Sequence, residues 1–172
     1  MKRNHEALAL AQELSHPFSL AAALSLLAGT HRLRREAPAA QERAEAAVAL
    51  SHEQGFALFA ALGSIFQGWA LAEQGQREEG IAQMRQGLAA WQATGAELGR
   101  PYYLALLAEA YGKAGQREEG LALLTEALTV INKTEERWWE AELYRLKGEL
   151  LLQSSAQSLA SQKKRNDHDV EI

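Results

Sequence analysis

The hexapeptide from Gly75 to Gly80, GQREEG, is written a second time from Gly115 to Gly120, forty residues downstream. An identity of that length at a fixed offset marks an internal repeat, and a repeat constrains the fold before any single residue does. Other positions keep their character at the same offset. Leu8, Val48, Leu88 and Leu128 are all apolar, and Ala7, Ala47, Gly87 and Ala127 are all small. Ala28, Gly68, Ala108 and Gly148 are small as well, which predicts one recurring close approach of two helices. Each GQREEG reads as a turn between helices. Its first glycine can take the left-handed conformation that closes a helix. The paired glutamates then fall in the first turn of the next helix, where carboxylates complement the positive end of the helix dipole.

The repeating unit is therefore helix, turn, helix. The composition agrees: 47% of the 172 residues are hydrophobic, largely Ala and Leu, and only three are proline. Those residues favour helix, and no stretch offers the alternating β-branched pattern of a strand. Pro17, Pro38 and Pro101 suit first turns of helices. About eight helices follow. They group as a half unit over 1–16, whole units over 17–55, 56–100 and 101–136, and a half unit over 137–153. In the fourth helix Leu58, Leu62, Ile65, Phe66 and Trp69 give wide apolar coverage. In the eighth, Leu143, Leu146, Leu150 and Leu151 do so. Residues 154–172 are polar and cannot bury enough surface to offset their ordering entropy, which predicts a disordered tail.

Chemistry is harder to find. The chain has no cysteine, so disulfides, thiolate metal sites and cysteine nucleophiles are excluded. A phosphate-binding loop ends in Lys-Ser/Thr, whereas GQREEG lacks the lysine and puts two carboxylates where the phosphate would sit. No two of His5, His16, His31, His52 and His168 stand three or four residues apart, the spacing that places two metal ligands on one helical face. Glu78–Glu79 and Glu118–Glu119 are adjacent and so diverge around their helices rather than converge on a substrate. The net charge of −4 supplies no basic field for nucleic acid. No signal peptide and no membrane span are legible. The reading is of a cytoplasmic, non-enzymatic protein without metal or cofactor.

The third unit carries Leu104, Leu107, Ala108, Tyr111, Gly120, Leu124 and Ala127, and in this it resembles a tetratricopeptide repeat. The second unit matches more weakly through Gly68, Leu71, Gly80 and Met84. The first has His31 where the family has a tyrosine. The repeat of forty also exceeds the family's common length of about 34 residues. The runs GAELGRPYYLALLAEAYGKAGQREEGLALLTEAL and EAELYRLKGELLL further resemble the C-terminal repeat region of large bacterial signalling ATPases and adenylate/guanylate cyclases. The resemblance implies an all-α, right-handed superhelical solenoid whose first helices line a concave groove. It maps groove positions onto Arg32, Ile65, Trp69, Glu73, Tyr102, Glu109, Lys113, Glu142, Arg145 and Glu149. It implies a regulatory module that binds a partner peptide or helix. The alternative is a small-molecule sensor holding a metabolite near Trp69 and Tyr102. Half units at both ends leave apolar helix faces uncovered, which predicts self-association.

Overall fold

The computed structural model describes residues 2–153, and the tail expected from residue 154 lies outside them. The described residues form helices and turns, with no strand among them. The helices are α1 (Lys2–Glu13), α2 (Pro17–Leu33), α3 (Ala37–Gln54), α4 (Ala57–Glu73), α5 (Arg77–Ala93), α6 (Arg100–Lys113) and α7 (Arg117–Thr134). A 3-10 turn, Arg137–Trp139, leads into α8 over 140–153. The chain divides into two units between Leu98 and Gly99.

The turns repeat more often than the sequence does. Left-handed backbone recurs at Ser15, Arg35, Gly55, Gly75, Gly95, Gly115 and Glu135, a step of twenty residues and half the sequence repeat; Gly99 is left-handed as well, outside that series. Gly75 (φ +96) and Gly115 (φ +80) occupy like settings. The following amide donates five residues back, from Gln76 to Leu71 at 3.0 Å and from Gln116 to Tyr111 at 2.9 Å. Phe56 to Ser51, Glu36 to His31 and His16 to Ala11 repeat that bond at 2.8, 3.0 and 3.2 Å. This is the hydrogen bond that satisfies a carbonyl left open by a helix terminus. Three of the seven residues in the stepped series carry side chains, at a strain that glycine does not incur. At His16 the imidazole also accepts the Ser19 amide, capping α2.

Within the first unit α1 packs on α2, α2 on α3, α3 on α4 and α4 on α5, and α2 also touches α4. The predicted close approach is clearest at Gly68. A β-carbon there would lie 2.6 Å from the Gly80 carbonyl oxygen and 2.7 Å from the Met84 nitrogen, so α4 and α5 meet backbone to backbone. The core runs from Leu8, Leu24 and Leu27 to Ile65, Phe66, Trp69 and Met84. In the second unit α6 packs on α7, and Leu150 of α8 reaches Gly112 and Gly120. Each unit is thus all-α, with neighbours in sequence packed as neighbours in space, as a helical-repeat solenoid requires.

Some local expectations are corrected. Leu58 and Leu151 are 36% and 49% exposed, because each lies on the outer side of its helix while Leu62, Ile65 and Leu150 take the inner side. The eighth helix does not begin as α-helix at Arg137. The tighter 3-10 turn comes first and places Trp138 and Trp139 against Tyr102. The small residue at 148 meets nothing: an added β-carbon would find no described atom within 4 Å.

Candidate functional site

In the first unit the groove candidates lie on α2 and α4. Because these helices touch, the Arg32 guanidinium stands over the Trp69 ring, 5.9 Å from its centroid. Beyond them Arg35 Nη1 is 4.0 Å from Glu73 Oε2. Arg32, Ile65 and Trp69 are 8%, 1% and 2% exposed, so they form the body of the wall rather than its surface. The Trp69 indole nitrogen has no hydrogen-bond partner among the described residues, although buried indoles usually find one. His31 is buried. It also meets Glu36 at 2.7 Å across the turn into α3. That hydrogen bond, and a second from Arg34, hold the Glu36 carboxyl below the usual carboxylate range.

In the second unit the candidates form a strip along α6 and α8. At one end Tyr102 packs against Trp138 and Trp139, with ring centroids 5.6 and 4.9 Å apart. Trp138 is 60% exposed, a large apolar surface for a ring so close to its neighbours. Glu136 builds this end. Its carboxylate accepts the Gly99 amide at 2.9 Å and the Trp138 indole N–H at 2.6 Å. Burial pushes the phenol of Tyr103 well above its ordinary range, with Tyr102 and Glu136 adding to the shift.

Seven residues along α6 from Tyr102, about 10 Å at the helical rise, stands Glu109, which pairs with Lys113 at 3.0 Å. Facing it on α8, Arg145 donates to Glu142 through Nε at 2.7 Å and through Nη2 at 2.5 Å, and to Glu149 through Nη1. The hydrogen bonds to Glu142, reinforced by the fields of Glu142, Glu149 and Glu109, raise its already high pKa. The guanidinium is thereby fixed in direction while still partly exposed to solvent.

Tyr102, Glu109, Lys113, Glu142, Arg145 and Glu149, which the resemblance maps to a groove, all lie in the second unit. Glu136 was not among the mapped positions; a carboxylate two residues before a tryptophan, after a helix end, was the available signal.

Among the described residues no three His, Asp or Glu side chains gather at metal-ligating reach, and no helix is long and apolar enough to cross a membrane. The chain matches no protein-family model, and no curated protein matches it. What the fold defines is an all-α protein of consecutively packed helices built on one turn.

Proposed function

We propose that this chain is a non-catalytic interaction module of the tetratricopeptide kind, which holds a segment of a partner protein along α6 and α8. The observation that carries the reading is the α6–α8 strip itself: an exposed tryptophan at one end and an oriented guanidinium about two helical turns away. Trp, Tyr and Arg are the residues that most often dominate binding energy at protein interfaces. Here Trp138, backed by the buried ring of Tyr102, supplies apolar area. Arg145, Glu142, Glu149 and Lys113 supply a fixed charge pattern that sets the direction of the bound segment. The partner segment that fits carries an apolar anchor followed by charged residues about two turns further on. Arg32, Trp69 and Glu73 stiffen the first unit's wall beneath their own face. In this reading the module regulates a bacterial, cytoplasmic signalling ATPase or cyclase of the kind its sequence resembles.

Peptide display against the purified chain tests this. Selected peptides are expected to bind with affinities weakened at least tenfold by Trp138→Ala and by Arg145→Ala, about 1.4 kcal/mol each. Selected peptides that bind equally well to both variants would refute the assignment.

A further inference from the structure

On the other side of α4 from α2, an open cleft of about 630 Å³ lies between α3 and α5. Its floor is small: Ala57, Ala60, Ala61, Ser64, Gly87 and Ala90. The repeat supplies an internal control. Forty residues earlier, the positions of Ala60, Ser64 and Ala90 hold Leu20, Leu24 and Leu50. Leu24 belongs to the core cluster of the first helices, and the partly buried Leu20 and Leu50 pack against it. On α6 and α7 the aligned residues are Arg100, Leu104 and Val130, again all larger. The cleft therefore arises because three branched side chains that fill the earlier repeat are absent here.

A second, independent difference lies at its head. Ser51 lines the cleft and is 1% exposed, and its hydroxyl has no hydrogen-bond partner among the described residues. The aligned residues Ala11, Trp91 and Ile131 are all apolar and all buried. A buried hydroxyl without a partner is costly, and one polar exception in an otherwise apolar position calls for a reason. Charge stays away from the floor: His52 and Glu79 are exposed, and Gln83 is engaged with Gln67 at 2.6 Å.

We infer that the α3–α5 cleft is a binding site for a small neutral molecule with a branched aliphatic body and one hydroxyl or amide. The body takes the place that the leucines occupy in the preceding repeat, and the polar group pairs with Ser51 Oγ. The volume lies within the usual range of small-molecule sites, about 300–1,000 Å³. This site is separate from the α6–α8 strip and does not depend on the reading given to that strip.

The test is an amide-shift NMR titration of the full chain with 3-methylbutan-1-ol, which carries a leucine-like body and one hydroxyl. Saturable shifts are expected at Ser51, Ala61, Ser64 and Gly87. The double variant Ala60→Leu/Ala90→Leu, which rebuilds the filled repeat, should abolish them. Ser51→Ala should keep the fold, melt at a higher temperature because it removes the unpaired hydroxyl, and weaken the probe about tenfold. If the double variant does not fold, Ser51→Ala alone decides. Shifts that grow linearly without saturating overturn the proposal. So do saturable shifts that neither variant alters.

Discussion

Replacing Gly68 by alanine measures how closely α4 and α5 approach. The new β-carbon would stand 2.6 Å from the Gly80 carbonyl oxygen and 2.7 Å from the Met84 backbone nitrogen. Comfortable contact needs about 3.5 Å, so the helices must part by close to 1 Å. Neither obstructing atom belongs to a flexible side chain that could swing aside. Overpacking of this kind costs about 1–3 kcal/mol, and the better helix propensity of alanine returns about 0.8–1. The preceding hairpin bounds the cost, since Ala28 and Ala40 stand at the aligned positions and are fully buried there. The net expectation is a loss of about 0–2 kcal/mol. Gly148→Ala is the control, because its β-carbon meets no described atom within 4 Å. That change should stabilise by about 0.8–1 kcal/mol through propensity alone. Urea unfolding followed by circular dichroism at the helical band gives both values. If Gly68→Ala is as stable as Gly148→Ala, the close approach does not hold the pair together and the argument from recurring small residues fails.

Three further outcomes follow from particular residues. Glu135, at φ +58 on an exposed turn, is strained as an L-residue, so Glu135→Gly should raise stability by about 0.5–1 kcal/mol in the same urea assay. Tyr103 has a folded pKa raised above its unfolded value near 10, so its contribution is complete below that pH and is lost as the pH rises beyond it. Tyr103→Phe should therefore flatten the decline in stability on the alkaline side of pH 10. Glu36 has a folded pKa depressed below 4.5, so its contribution is present above that pH and is lost as the pH falls through the lower folded value. The stability difference between the native chain and Glu36→Gln should accordingly shrink in acid, read as converging urea midpoints below pH 4.5.

Much of the helix plan was legible because glycine is so informative at a helix end. Gly75 and Gly115 marked closures that the backbone confirms with positive φ. The twenty-residue step was hidden because Ser15, Arg35 and Glu135 adopt the same conformation without being glycine, and nothing in a serine, arginine or glutamate announces it. Leu58 was misplaced for a different reason. A helix as apolar all round as α4 gives periodicity little to work with. On the candidate strip, the residues on α6 and α8 were named from the family resemblance. The carboxylate of Glu136 bridging Gly99 and Trp138 could not be, since it joins residues 37 positions apart. The cleft was latent in the alignment of Ala60 and Ala90 with Leu20 and Leu50. Alanine in a helix attracts no notice until the volume it leaves is seen.

The evenly stepped left-handed turn also limits how such a chain can change length. Successive helices alternate in role, so excising one twenty-residue step would hand every later helix the part of its opposite and turn inner faces outward. Excising or copying two steps leaves each helix with its own role and its own apolar side. Growth and shrinkage by whole hairpins are thus the changes this architecture absorbs, and the twice-written GQREEG is what a copied hairpin would leave behind.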